Sequence, residues 1–224
     1  MNDNLALVPL GVRLAGVRCV CVGGGSVAAR RVPVLLAGGA RVTVVAPSLD
    51  PSLRDLVTLG RCEHVGRPFE PGDCIGAFLV MAATGNPIVD TEVAREAAGG
   101  SVLTCVASDP DLGNCVFMAT ARRGRLVVAL HSGGAAPAVT AVLRRRIETA
   151  LPERLGEILD RLATLRAELR LAEPDPLERA RRWREAVDSG VLDTALGEGT
   201  EAAYDAVARI LTGDELAGSD SHAE

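Results

Sequence analysis

The residues Gly23-Gly24-Gly25-Ser26-Val27-Ala28 directly follow an apolar run, Val17–Val22, and directly precede a helical pattern. Glycine at the first and third positions and a small residue at the sixth form the fingerprint of a dinucleotide-binding turn. Gly23 permits the tight turn, and Gly25 lets the backbone approach a pyrophosphate with no Cβ in the way. Ala28 lets helix and strand pack closely. Gly24, Ser26 and Val27 lie where backbone N–H groups at the start of the helix face the phosphates, with the positive end of the helix dipole behind them. One element of the fingerprint is missing. An acid that binds the ribose is expected at the end of the second strand, and that place holds Val45-Ala46-Pro47-Ser48. Ala46 and Pro47 therefore line the ribose end with backbone and apolar surface. No arginine stands there to take a 2′-phosphate, which predicts NAD rather than NADP.

The elements that position this turn follow from periodicity. Strands are expected at Val17–Val22, Arg41–Val45, Arg61–Val65, Ala77–Ala82 and Leu103–Val106, with helices at Ser26–Ala37, Asp50–Leu59 and Ile88–Ala98. Alternation of short apolar runs with helical patterns signals βαβ units and a parallel sheet. Two further strands, Val116–Ala121 and Leu126–Leu130, flank a turn over Arg122-Arg123-Gly124-Arg125. After Gly133-Gly134 the pattern turns helical, at Pro137–Ala150, Glu153–Leu171, Leu177–Val187 and Thr200–Leu211, before a polar tail from Gly213 that reads as disordered. Leu155, Ile158, Leu159, Leu162, Leu165 and Leu169 form one apolar stripe with no partner evident in the sequence, which predicts burial between two subunits.

With these segments in place the chain resembles a known family. Val22-Gly-Gly-Gly-Ser-Val-Ala-Ala-Arg-Arg31, Leu35–Gly39 and Ala40-Arg-Val-Thr-Val-Val-Ala-Pro47 resemble the N-terminal module of siroheme synthase. Stand-alone relatives of that module are precorrin-2 dehydrogenases, some of them also sirohydrochlorin ferrochelatases. The resemblance continues through Val80-Met-Ala-Ala-Thr84, Ala107-Ser-Asp-Pro-Asp-Leu-Gly-Asn114 and Leu130-His-Ser-Gly-Gly-Ala-Ala-Pro137, and fades after about Arg170. The glycine motif is shared by many folds, whereas the Ser-Asp-Pro and Ser-Gly-Gly-x-x-Pro segments are specific.

The resemblance implies an α/β fold: a Rossmann-type parallel-sheet domain over residues 1–115, a dimerisation and substrate-cleft segment over 116–150, and a helical C-terminal domain with its tail over 151–224. It implies a homodimer, NAD as cofactor with Thr84 beside it, and precorrin-2 as substrate. The reaction implied removes a hydride and a proton from the macrocycle to give sirohydrochlorin, and in bifunctional members iron insertion follows. The family pattern often has a carboxylate two residues before Pro110, proposed as the general base. Here that position is Ser108, with Asp109 next to it. A serine hydroxyl is a far weaker base than a carboxylate, so the departure weighs against chelation more than against dehydrogenation. Asp109 either substitutes or forms the turn, and Asn114 either binds the substrate or likewise forms the turn. In the Ser-Gly-Gly segment His131 replaces a small residue and is either an acid, a base or an iron ligand, or a packing residue. Ser132, Gly133 and Gly134 offer small side chains and N–H groups to a ligand. The substrate carries eight carboxylates, so arginines should meet it. Candidates are Arg122, with Arg123 and Arg125 beside it, Arg144–Arg146, and Arg30 and Arg31, each of which also reads as a solvated face.

Composition narrows the alternatives. A formal charge of −5 argues against a nucleic-acid partner, and no apolar window is long enough to span a membrane. The N-terminus has no basic segment of a signal peptide, and six cysteines without a C-x-x-C pair read as buried thiols of a cytoplasmic protein. No Lys occurs, which excludes Schiff-base and P-loop chemistry and the Tyr-x-x-x-Lys pair of short-chain dehydrogenases. A lone His without a second ligand nearby predicts no metal site. Two functional classes follow: an NAD-dependent oxidoreductase on a tetrapyrrole, with or without ferrochelatase activity, and a non-catalytic module that senses NAD.

Overall fold

The structure is a computed structural model, and it describes residues 7–188, 190, 205 and 207–209. The chain divides into two compact units, the first running from Val8 to Phe117. Its five strands are β1 (Arg18–Val22), β2 (Arg41–Val45), β3 (Glu63–Val65), β4 (Leu79–Ala82) and β5 (Leu103–Val106). They form one parallel sheet in the order β3-β2-β1-β4-β5. The helices are α1 (Ser26–Ala37), α2 (Pro51–Thr58) and α3 (Pro87–Ala98).

Both faces of this sheet are covered, so its central strands read as near-continuous apolar runs rather than alternating, while the edge strand β3 is polar and exposed. Cys19, Cys21, Val42, Val44 and Met81 pack with Ala28, Val32 and Leu35 of α1 and Leu53 of α2. Their strand neighbours Val20, Val22, Val80 and Ala82 point the other way, onto Val93, Ala94 and Ala97 of α3. Two helices start on asparagine or aspartate caps: Asp50 accepts the Ser52 N–H, and Asn86 accepts the Ile88 N–H. Proline at the first helical position follows each cap, where its missing N–H costs nothing.

The second unit begins after Phe117 rather than after residue 115. It holds a hairpin, β6 (Ala119–Arg123) and β7 (Leu126–Leu130), and the helices α4 (Pro137–Ala150), α5 (Leu155–Ala172) and α6 (Pro176–Asp188). The turn is shorter than the four residues expected. Arg122 and Arg123 belong to the strand, leaving Gly124 and Arg125 as the loop. Gly124 takes φ +54°, and a Cβ there would lie 2.6 Å from the Cα of Gly156. A two-residue hairpin loop needs such a residue.

The leucine stripe of α5 also departs from expectation. Ile158, Leu165 and Leu169 are buried within the chain, against Trp183 and Ala186 of α6 and against Val207. The partner lies in helices too polar in sequence to announce it, so the stripe is no evidence for a subunit interface. Of the helix expected over Thr200–Leu211 only residues 205 and 207–209 are described, and the tail from Gly213 lies outside the described residues. No helix among the described residues is long and apolar enough to cross a membrane.

Candidate cofactor-binding site

The glycine turn joins the carboxyl end of β1 to α1, beside the gap between β1 and β4. In this sheet β2 lies on one side of β1 and β4 on the other, so the order in which strands are added reverses there, and ligands of open parallel sheets bind at such a point. The turn is wedged in place by backbone. Gly23 has φ +112°, and a Cβ on it would lie 2.2 Å from the Ala83 carbonyl oxygen and 2.9 Å from the Thr84 nitrogen. Its own N–H donates to the Val45 carbonyl at 2.9 Å. On the other flank the Gly24 carbonyl accepts the Asp50 N–H at 2.7 Å. The loops after β1, β2 and β4 thus hold one another, and Ala46, Pro47 and Thr84 stand around the turn.

Gly25 differs from its neighbours. Nothing lies within 4 Å of a Cβ built on it. It is the residue preceding α1, the helix end carries no side-chain cap, and the first turn holds no acid. Ser26 is exposed and Val27 partly so. An uncapped helix N-terminus of 12 residues behind an open glycine matches the needs of a pyrophosphate: free N–H donors, positive partial charge and space. These residues fit a dinucleotide.

The acid missing from the end of β2 has a near substitute. Asp50 lies five residues after Val45, tied through its N–H to Gly24. Its carboxylate accepts the Ser52 hydroxyl at 2.7 Å and the Ser52 N–H at 3.0 Å, and these bonds hold it below the usual carboxylate range. The Ala46 carbonyl is in contact with His64 Nε2 at 2.9 Å, which fixes the floor of this end.

Beyond Thr84 the structure reveals a residue that the motifs did not mark. Asp90, on α3, is 0% exposed. Its Oδ1 accepts the Thr84 hydroxyl at 2.7 Å and the Thr84 N–H at 3.1 Å. Its Oδ2 accepts the Ser108 hydroxyl at 2.6 Å. Thr84 and Ser108, at the ends of adjacent strands β4 and β5, are therefore joined by one buried carboxylate. The signal was a single acid on the apolar stripe Asp90, Val93, Ala94, Ala97.

Two other residues of the β5 loop are occupied structurally. Asp109 caps the 3₁₀ turn Pro110–Leu112 by accepting the Asp111 N–H at 3.1 Å. Asn114, assigned to the substrate from the sequence, is engaged with the backbone of β5. Its Oδ1 accepts the Thr104 N–H at 2.7 Å and its Nδ2 donates to the Val102 carbonyl at 2.9 Å. The amide thus extends the hydrogen-bonding edge of β5, and Phe117 just beyond sits under the Arg31 guanidinium at 4.9 Å.

In the second unit, the loop from His131 to Ala136 leads into α4. Gly133 and Gly134 take φ +63° and +79°, and Ser132 Oγ accepts the Ala136 N–H at 3.3 Å. His131 is exposed, as is Arg122. Arg123 is turned to structure, donating to the Glu148 carbonyl at 2.6 Å, and Arg125 pairs with Asp160. Arg144 pairs with Glu148 one turn along α4.

Comparison with known proteins agrees with the glycine turn. Residues 10–119 match the family model described as "Putative NAD(P)-binding". The chain is 35% identical over 210 residues to the siroheme synthase of Methylobacillus flagellatus, covering 92% of this chain and 44% of that protein. It is 34% identical over 208 residues to siroheme synthase 1 of Aeromonas salmonicida, covering 93% and 44%. The chain thus spans under half the length of these relatives. Among solved structures, that of SirC, precorrin-2 dehydrogenase, superposes with a TM-score of 0.75 at 22% identity, over 92% of this chain and 100% of the other. The fold is shared at that level. The chain is a homologue of the siroheme synthases over the 44% of their length that it spans, and its residues 10–119 match an NAD(P)-binding family.

Proposed function

We propose that the chain is an NAD-dependent oxidoreductase that dehydrogenates precorrin-2 to sirohydrochlorin in siroheme biosynthesis. The observation that carries this reading is the contrast inside the glycine turn: Gly23 is locked by backbone, while Gly25 faces open space at an uncapped helix end. The relatives named siroheme synthase and the fold shared with a precorrin-2 dehydrogenase support the tetrapyrrole as substrate.

Gly23, Gly24, Gly25, Ser26 and Val27 hold the pyrophosphate through backbone N–H groups, Ala46 and Pro47 border the adenosine ribose, and Thr84 stands at the nicotinamide end. Bound there, NAD supplies the two-electron acceptor. Ser108 faces the substrate from the end of β5. Ser132, Gly133, Gly134 and Arg122 are assigned to the substrate's carboxylates, which charged and N–H donors bind strongly. Asp109 and His131 are assigned no step: the first caps a turn, and the second is exposed, with no hydrogen-bond partner among the described residues that would fix its role.

A homodimer is part of the reading. Helix α4 contributes no buried side chain, and Val139, Val142 and Leu143 on it are exposed. A helix with that apolar surface is suited to cover by a second copy. Sedimentation at micromolar concentration is expected to give a dimer, and a clean monomer contradicts this part.

Anaerobic incubation with precorrin-2 and NAD tests the activity. The expected result is the absorbance of sirohydrochlorin together with stoichiometric NADH. NAD binding without turnover would instead leave the chain a sensing module.

A further inference from the structure

Three donors converge on Asp90, and together they do more than a structural contact requires. A buried carboxylate costs several kcal/mol unless it is fully hydrogen-bonded. The two bonds from Thr84, at 2.7 and 3.1 Å, close a local loop that any acceptor at position 90 could close. They are not the cap of α3 either, because Asn86 already takes that place. The third bond has another character. Ser108 Oγ lies 2.6 Å from Asp90 Oδ2, within the short range of a hydroxyl bonded to a charged oxygen. It crosses 18 residues of sequence to join the ends of β4 and β5. Asp90 is fully buried whereas Ser108 is exposed, so the hydroxyl links the carboxylate to whatever occupies the outer face of the β5 loop.

We propose that Ser108 and Asp90 act as one proton-accepting pair for the substrate. This rests on the dehydrogenase reading above and deepens it. Dehydrogenation of a macrocycle removes two electrons and a hydrogen nucleus to the bound nicotinamide, and one proton besides. That proton passes to Ser108 Oγ as its bond to the macrocycle breaks, and the bonding pair stays on the macrocycle. In the same step the Ser108 hydroxyl proton crosses the 2.6 Å hydrogen bond to Asp90 Oδ2, so Ser108 remains neutral and the charge on Asp90 is discharged. After product leaves, the proton returns through Ser108 to water. Ser108 is the catalytic residue, because it touches the substrate. Asp90 acts through it as a positioning residue and proton store. The carboxylate absent from position 108 is thus supplied from one layer deeper.

The test uses the full chain with NAD and precorrin-2, and three variants. Asp90→Asn keeps an acceptor for Thr84 but cannot store a proton, and Ser108→Ala removes the link. Each is expected to lower kcat by about 100-fold or more, as loss of a general base does. The affinities for NAD and for sirohydrochlorin, read by calorimetry, stay at the wild-type level. In the double variant Asp90→Asn/Ser108→Asp the carboxylate moves to the exposed position, and kcat is expected to recover by at least tenfold over Asp90→Asn, within the range a general base contributes. A purely structural role for Asp90 predicts no such rescue. The inference is overturned if Ser108→Ala turns over at the wild-type rate. It is equally overturned if Asp90→Asn loses NAD affinity in parallel with kcat and the double variant does not recover. Should Asp90→Asn fail to fold, Ser108→Ala and the double variant decide. Absence of precorrin-2 oxidation by the wild-type chain would remove the dehydrogenase reading, and this inference with it.

Discussion

The carbonyl oxygen of Ser48 lies 2.2 Å from where a Cβ on Gly24 would begin, so the loop after β2 is seated directly on the glycine turn. Gly23 is enclosed in the same way by Ala83, while the neighbouring Gly25 meets nothing. Fold and ligand requirements are therefore separable residue by residue. Gly23→Ala is expected to destabilise the first unit by about 2–4 kcal/mol, since it combines a backbone clash with an unfavourable φ. Gly25→Asp is expected to keep the wild-type Tm yet abolish NAD binding, because its carboxylate meets the pyrophosphate. Thermal melts paired with calorimetry check both, and unchanged NAD affinity in a folded Gly25→Asp removes the turn from the cofactor site.

Cofactor choice follows from the opposite flank. The segment after β2 offers no arginine, and Asp50 is ionised at neutral pH because the Ser52 hydroxyl and N–H hold its carboxyl below the usual range. A 2′-phosphate there would meet the like charge of Asp50, and the nearby cation Arg54 already acts on that carboxylate. A repulsion of ~1 kcal/mol corresponds to about fivefold, so NAD is expected to bind at least that much more tightly than NADP. Tighter NADP binding in the same titration overturns this.

The cysteines give a prediction about reactivity. Burial, reinforced by Cys62, pushes Cys21 up to about 12. Burial and the Glu96 carboxylate likewise push Cys74 to about 12, and burial places Cys115 at about 11. A raised pKa means a neutral thiol, and the thiolate is the reactive form. At pH 8 the native protein should therefore react slowly with Ellman's reagent and release six equivalents only on unfolding. Rapid stoichiometric labelling of the folded chain would show that one of these sites opens.

Much of the first unit was legible because local and tertiary signals coincide there. The bounds of α1, β2 and β5 follow from apolar runs ended by Gly38-Gly39, Pro47 and the loop before Pro110, and β1, β2, β4 and β5 are buried along most of their length. The hairpin was displaced because residues 116–118 continue the apolar run while the arginines carry no strand signature, and the Gly124 backbone decides where the loop falls. The α5 stripe misled because its partners, Trp183 and Ala186, are single apolar residues in the charged segment that forms α6. Within the site, the glycine turn was legible as a contiguous motif. Asp90 was not, since its role depends on Thr84 and Ser108, six and eighteen residues away. An acid on a buried helix stripe is the only trace that such a residue leaves in the sequence.

Metal insertion gives the sharpest separation of activities. Dehydrogenation releases one proton, whereas chelation of a divalent ion must displace two pyrrole protons from the same macrocycle. The β5 loop presents one exposed hydroxyl backed by one buried carboxylate, and Asp109 beside it is committed to the Asp111 N–H. Once Asp90 holds the first proton it is neutral, and it cannot take the second until the first has left through Ser108. The chain is therefore expected to oxidise precorrin-2 readily but to insert Fe²⁺ or Co²⁺ slowly, by about 100- to 10,000-fold relative to a site with an exposed carboxylate. Ser108→Asp places that carboxylate at the surface. Insertion should rise in this variant while NADH formation changes little. Asp109→Asn should alter neither rate, since asparagine also caps the turn. Brisk insertion by the natural chain that survives Asp109→Asn would place the proton acceptor elsewhere, with exposed His131 the first residue to substitute.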